Sequence, residues 1–228
     1  MILLATDTSG KNGSIALARV PNAAPDCAPS LEILEVIPLA GGTFSAKLIP
    51  QISALLSKHG FTRQDIGGFA VASGPGSFTG LRVGLAAIKA LAEILQKPIA
   101  AVSLLETVAR STKSSSRVLA ALDAGRGDVY IGDYELAGSA RMRSERLVTR
   151  EDFLAEARAS LVVTPDAGLA RSARAAGRNV EEVAPPVSDA IARIGWEKIQ
   201  AGETIAPDEL EANYIRRSDA EIFAKPNP

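Results

Sequence analysis

The chain has 228 residues, 46% hydrophobic and 22% charged, which excludes a disordered or fibrous protein and leaves one large domain or two small lobes. Lys and Arg total 25 against 26 Asp and Glu, so a net charge of -1 supplies no global field to gather nucleic acid or an anionic membrane. The single histidine, His59, makes a multi-histidine metal site impossible; between Lys58 and Gly60 it reads as a solvated residue near a helix C-terminus. The lone Cys27 has no partner for an internal disulfide, Met1 to Ala5 is too short an apolar run for a secretory leader, and no run of about 18 apolar residues occurs. These features predict a soluble protein of a reducing cytoplasm.

In chain order, Ile2 to Ala5 and Ser14 to Val20 predict two strands joined by the polar tip Asp7-Thr8-Ser9-Gly10-Lys11-Asn12-Gly13. After a proline-bearing stretch at 21–30, Leu31 to Leu39 predicts a third strand. Leu48, Ile49, Ile52, Leu55 and Leu56 have helical spacing, with Pro50 tolerable only in the first turns, and that helix ends near Gly60. Phe69 to Ala72 predicts a strand, Ser73 to Gly80 a glycine-rich turn, and Leu81 to Lys97 a helix stopped by Pro98. Ile99 to Val102 returns as strand, and Ser103 with Glu106 reads as a capping box for a helix at Leu104 to Arg110.

The polar break Thr112 to Ser116 marks a lobe boundary. Beyond it, Val118 to Leu122 and Val129 to Tyr134 predict a hairpin with a charged tip, followed by strand or loop at Arg141 to Arg150. A helix at Glu151 to Arg158, a strand at Leu161 to Thr164, and helices at Gly168 to Ala176 and Val187 to Gln200 complete the pattern. Both lobes run from hairpin strands into alternating helix and strand, which hints at two related units.

Three features bear on chemistry. Gly74, Gly76 and Gly80 at a strand-to-helix turn, with Ser77 and Thr79, fit either a phosphate cradle at a helix N-terminus or a tight turn with a hydroxyl cap. The stretch has neither the Gly-Lys-Ser/Thr ending of a Walker loop nor the dinucleotide spacing. The helix that follows is apolar on two sides, with only Arg82, Lys89, Glu93 and Gln96 as a narrow polar stripe. It is therefore either a central helix within this chain or one that a partner covers. Asp7, Thr8 and Ser9 on one hairpin tip, and Asp123, Arg126 and Asp128 on another, fit a Mg-nucleotide site or ordinary Asx turns. Arg141, Arg143, Arg146 and Arg150 read as a solvated face, with RNA contact the lesser reading.

Ile2-Leu3-Leu4-Ala5-Thr6-Asp7-Thr8-Ser9, Ser73-Gly74-Pro75-Gly76-Ser77-Phe78-Thr79-Gly80-Leu81-Arg82, and Asp123-Ala124 before Val129-Tyr130 together resemble the TsaB/YeaZ family. Tyr214-Ile215-Arg216-Arg217 with Asp219-Ala220-Glu221 is similar to that family's ending. The resemblance implies an α/β, actin-like (ribonuclease H-like, ASKHA) fold of two lobes of mixed sheet with helices. The expected division is 1–110 for a partner-binding lobe, 111–205 for a second lobe and 206–228 for a segment returning to the first. It implies a non-catalytic subunit of the complex that makes threonylcarbamoyladenosine in tRNA, cytoplasmic and without a membrane segment. TsaD is the expected main partner, TsaE joins within the complex, tRNA is met only through the complex, and a homodimer forms when the chain is alone.

Helices at about 43–58 and 79–97 then supply the interface, through Leu48, Ile52, Leu55, Leu81, Val83, Ala86, Ala87 and Ala90. No catalytic residue, metal or required cofactor is implied, and ancestry admits weak nucleotide binding at Asp7, Thr8, Ser9, Gly74, Gly76, Ser77, Thr79, Gly80, Asp123 and Arg126. The older peptidase label of the family demands a paired-histidine metal motif that one histidine does not supply. Two places depart from the family pattern: the helix start Phe44-Ser45-Ala46-Lys47-Leu48-Ile49-Pro50, where a histidine and an acidic residue are common just before a Leu-Leu-Pro-like segment, and Gly125, where a larger, often basic residue is common. The rival reading is an actin-like ATP-dependent small-molecule kinase or ATPase, with Asp7 and Asp123 on Mg and Gly74 to Gly80 on phosphate.

Overall fold

A computed structural model describes residues 1–21, 31–114, 116–137 and 140–216; Cys27 and the family-like stretch 219–221 lie outside them. In the first sheet, β1 (Ile2–Asp7), β2 (Asn12–Arg19) and β3 (Glu32–Ala40) form an antiparallel meander. Parallel strands β4 (Ile66–Gly74) and β5 (Ile99–Ser103) extend it on the other side of β1, giving the order β3-β2-β1-β4-β5. Strands β1, β2 and β4 are buried along almost their whole length, which explains their near-continuous apolar runs. Helices cover both faces of this sheet.

One face carries the large side chains Leu4, Ile15, Leu17, Phe69 and Val71. They pack with Leu48, Ile52 and Leu55 of α1 (Phe44–Lys58) and Leu81, Leu85 and Ile88 of α2 (Phe78–Leu95). The opposite face holds Leu3 together with small residues such as Ala70 and Ala100. There α6 (Ser188–Gln200) lies so close that a Cβ on Gly195 would stand 2.3 Å from the Ala70 Cβ. A short helix, α3 (Leu104–Ala109), follows β5; the Leu105 N–H donates to Ser103 Oγ at 3.1 Å, while Glu106 pairs with Lys198 at 3.0 Å.

The second sheet repeats the plan. The strands β6 (Arg117–Gly125), β7 (Asp128–Glu135) and β8 (Arg141–Thr149) form a meander, and β9 (Leu161–Thr164) and β10 (Val180–Glu182) add in parallel beside β6. Its order, β10-β9-β6-β7-β8, is that of the first sheet read from the opposite edge. The hint of two related units is thus a matter of topology. In this unit α4 (Arg150–Glu156) and α5 (Ala167–Ala175) pack over Val129, Ile131 and Val162 through Phe153, Leu169 and Ala173. The paired sheets with helices have the expected α/β, ribonuclease H-like architecture.

The chain divides into Met1–Thr107 with Pro186–Ala212, and Val108–Pro185 with the described residues from 213 onward. The return to the first unit therefore begins near 186, ahead of the expected 206, because α6 buries Ile191, Ala192 and Ile194 against the first sheet. Residues 213–216 group with the second unit, where Asn213 donates to Glu145 at 2.6 Å and Arg216 pairs with Asp128 at 2.6 Å. His59 also departs from its solvated reading: three-quarters buried, it lies 2.8 Å from Glu35 of β3, which Lys58 meets at 2.7 Å. These two contacts hold the Glu35 carboxyl below its ordinary range, Lys58 contributing most.

Candidate functional site

The glycine turn and the first hairpin tip form one buried polar knot in the first unit. Asp7, Thr8 and Ser9 are all buried. The Thr8 hydroxyl donates to the Gly80 carbonyl at 2.8 Å, and the Ser77 N–H donates to the Ser9 carbonyl at 2.6 Å. Ser77, not Thr79, caps α2, accepting from the Gly80 N–H at 3.3 Å. Two amides that a phosphate would recruit thus already serve the chain's own carbonyl and hydroxyl.

The glycines here are spacers. A Cβ would lie 2.5 Å from the Ser9 carbonyl oxygen at Gly76, 2.0 Å from the Thr8 carbonyl oxygen at Gly80, and 2.2 Å from Thr8 Oγ1 at Gly84. Phe44 seals the knot, because its ring borders both Gly13 and Gly80. The departure from the family pattern at that position is therefore an apolar plug.

Asp7 Oδ1 accepts from the Ser9 N–H at 2.8 Å and the Ser9 hydroxyl at 2.6 Å. Burial still raises the Asp7 pKa, outweighing both hydrogen bonds. The sign of the linkage follows: the folded state holds the proton more tightly than the unfolded state, so this group's contribution falls as pH rises through its folded pKa. Asp7→Asn keeps an acceptor for Ser9 and removes the buried charge. Its expected result is a higher melting temperature than the parent at pH 7, with the gain shrinking on acidification and gone below about pH 4; thermal melts across that range check it, and a gain independent of pH would refute the assignment.

In the second unit, Asp123 lies near the end of β6 and Arg126 in the β6–β7 turn. Asp123 Oδ1 accepts from the Gly125 N–H at 3.1 Å, an Asx turn, and the Asp123 N–H donates to Asp166 Oδ2 at 2.7 Å. Arg126 and Gly127 have positive φ (59° and 89°), as a tight two-residue turn of the mirror-image kind requires, and Gly125 has φ 71° at the register shift that ends β6. A larger residue at 125 would be strained, which accounts for the second departure from the family pattern. Burial raises the Asp166 carboxyl, outweighing the lowering by the Asp123 N–H it accepts; the Asp123 charge adds a smaller rise. Among the described residues, no three His, Cys, Asp or Glu side chains converge as a metal site would require.

The arginines of β8 are largely spent on neighbours. Arg143 pairs with Glu135 at 2.5 Å and approaches Asp133 at 3.8 Å, and Arg146 meets Glu156. The solvated-face reading fits this pairing better than a nucleic-acid stripe does.

The α1–α2 pair is different. Leu48, Ile52, Leu55 and Leu81, expected at a partner interface, are buried in the chain's own core and present no surface. Val83 and Ala87 are half-buried and Ala86 and Ala90 exposed, so half of the expected set does lie on the outer face. The sequence reading missed Ile94, 74% exposed, Ile49, 46% exposed, and Phe78, 37% exposed, over which Arg82 stacks at 3.7 Å. Their signal was present: apolar positions on α2 wrap well past the arc its own sheet covers. An open strip of Ile49, Val83, Ala86, Ala87, Ala90 and Ile94 results. At one end of it, about 440 Å³ of cavity opens between α1, Leu91 of α2 and the single 3-10 turn Arg63–Asp65.

The family model described as TsaD, tRNA N6-adenosine threonylcarbamoyltransferase, matches residues 37–195. The tRNA threonylcarbamoyladenosine biosynthesis protein TsaB of Bacillus subtilis is 37% identical over 136 residues, 59% of this chain and 56% of that protein. Its counterpart of the same name in Escherichia coli is 29% identical over 188 residues, 76% of this chain and 81% of that one. The match thus spans little more than half the length of the Bacillus relative. A Pseudomonas aeruginosa protein with similarity to peptidase YeaZ superposes with TM-score 0.72 at 25% identity, covering 94% of this chain and 99% of its own. YeaZ from the same organism superposes at 0.69 with 23% identity, covering 93% and 100%, a likeness of fold. With most of the chain inside the threonylcarbamoyltransferase family model, and these relatives and this fold around it, the chain belongs to that family and, within it, to the TsaB/YeaZ family.

Proposed function

We propose that this chain is a non-catalytic subunit of tRNA threonylcarbamoyladenosine biosynthesis that binds and stabilises a TsaD-type transferase through the open strip of α1 and α2. The names of the relatives support the pathway. The observation that carries the subunit role is the exposure of Ile49 on α1 and of Ile94 in line with Ala86 and Ala90 on α2, where a lone domain gains nothing from displaying them. Alone, the chain covers this strip with a second copy; in the complex the transferase displaces that copy, TsaE joins the pair, and tRNA is met through the assembly in the cytoplasm.

The kinase or ATPase reading has less support, since the Ser77 and Gly80 amides face inward and the Thr8–Ser9 backbone sits against the glycines meant for phosphate. Catalysis belongs to the transferase, and no cofactor is required of this chain. The test is light scattering of the chain with the TsaD of its own organism, followed by threonylcarbamoyl transfer to tRNA. Expected is a stable heterodimer whose formation raises transfer, with the lone chain inert; Mg-dependent ATP turnover by the lone chain and no heterodimer would overturn the reading.

A further inference from the structure

Residues 205–216 are fastened at both ends. In the first unit, the Ile205 N–H donates to the Ile99 carbonyl at 2.9 Å, a single antiparallel bridge on the outer edge of β5. Leu210, 4% exposed, enters the same core cluster as Leu85 and Ile88 of α2, and Lys89 of α2 donates to the Asp208 carbonyl at 2.9 Å. In the second unit, Glu145 accepts from Asn213 at 2.6 Å and also from the Tyr134 hydroxyl. Arg216 holds the two flanks of the β6–β7 turn, Asp128 at 2.6 Å and the Gly125 carbonyl at 3.4 Å.

The chain between these anchors has no slack. Leu210 and Ala212 pack in the first unit, and the very next residue, Asn213, is bound in the second. The backbone bonds within the segment close only local turns, from the Glu209 N–H to the Ala206 carbonyl at 3.1 Å and from the Ile215 N–H to the Asn213 carbonyl at 3.0 Å. No helix or strand runs through the described residues 206–216. A segment held by its ends rather than by a ladder docks or releases as one piece, at the low opening free energy of a thinly packed element. It is thus a two-state element that Leu210 biases from one end and Arg216 from the other.

We propose that residues 205–216 form a strap that couples α2 to the β6–β7 turn. Docked, the strap steadies the flank of α2 through Leu210 and Asp208 and steadies the turn through Arg216; release at either end loosens both. Its use in the complex rests on the reading of α2 as part of the partner face: a partner that seats α2 tightens the turn, and a tightened turn favours that partner by the same factor. The coupling itself is a property of the lone chain.

The experiment is hydrogen exchange read by mass spectrometry on the full chain, alone and with the TsaD of its own organism, using the parent, Arg216→Ala, Arg216→Lys and Leu210→Ala. Residue 216 is half-buried at the surface, and unchanged melting temperatures of its two variants confirm folding, so they carry the test even if Leu210→Ala unfolds. In the lone chain, Arg216→Ala is expected to speed exchange about tenfold at 125–128 and 213–216, and also at 205–212 and in the α2 turn around Lys89. Arg216→Lys keeps the charge beside Asp128 and stays near the parent, while Leu210→Ala carries its loosening to 125–128. With TsaD, exchange of the parent slows at 125–128, and Arg216→Ala weakens the Kd about three- to tenfold. If each variant loosens only its own end, or if the parent binds TsaD with no added protection at 125–128, the strap falls and the subunit reading stands. If the parent does not bind TsaD, the subunit reading falls, and exchange in the lone chain alone decides the strap.

Discussion

Ala90→Glu is expected to abolish pairing with TsaD while leaving the chain folded. Residue 90 is exposed at the middle of the α2 strip, between Val83 and Ile94, so the free chain hydrates the new carboxylate at little cost. Surface changes of this kind usually alter stability by no more than about 0.5 kcal/mol. At a closed helix interface the same carboxylate loses its water and finds no paired donor, a penalty of several kcal/mol. At about 1.4 kcal/mol per tenfold, the Kd rises at least a hundredfold. Ile94→Ala removes most of an apolar anchor without adding charge and costs less, on the order of 1–2 kcal/mol. Light scattering of each variant with TsaD, a melt of each alone, and transfer assays on the mixtures measure this. Co-elution of Ala90→Glu with TsaD at parental affinity would remove the α2 strip from the interface.

Gly84→Ala should be among the most destabilising conservative changes in the first unit. Helix propensity alone favours alanine over glycine by about 1 kcal/mol. Here the added Cβ would lie 2.2 Å from Thr8 Oγ1, whose hydroxyl is held by the Gly80 carbonyl in a buried knot. Either the hairpin tip retreats from α2 or the hydroxyl loses its acceptor, and overpacking with a broken buried hydrogen bond costs roughly 2–4 kcal/mol net. For a chain of this size the melting temperature drops by about 5–15 °C. Gly168→Ala in α5 is the control: nothing lies within 4 Å of its Cβ position, so propensity acts unopposed and stability is unchanged or raised. Equal responses at the two sites would mean that Thr8 does not press on α2.

The contrast between these glycines shows where reading by sequence stops. Gly76 and Gly80 looked like ligand spacers because glycine permits close approach, and close approach is what the structure uses them, and Gly84, for. The approaching group is the chain's own Thr8–Ser9 backbone, some 70 residues away, which local spacing does not reveal. The pairing of His59 with Glu35 and the seat of Phe44 against Gly13 were hidden for the same reason. Strand β10 escaped notice because Val180-Glu181-Glu182 is short and lacks alternation.

On the sequence alone rested the class of fold, the bounds of most helices and strands, the absence of a multi-histidine site and the family likeness. These follow from composition, from periods of two and 3.6, and from motifs contiguous in the chain. Periodicity also marked α2 as apolar over too wide an arc, yet it did not divide α1 or α2 between inside and outside. Only the tertiary structure assigned Leu48, Ile52, Leu55 and Leu81 to the core and left Ile49, Ala90 and Ile94 in water. Which side of a helix meets solvent depends on the sheet beneath it, and that sheet is assembled from strands separated by long stretches of chain, with α6 returning from beyond the second unit to close its other face.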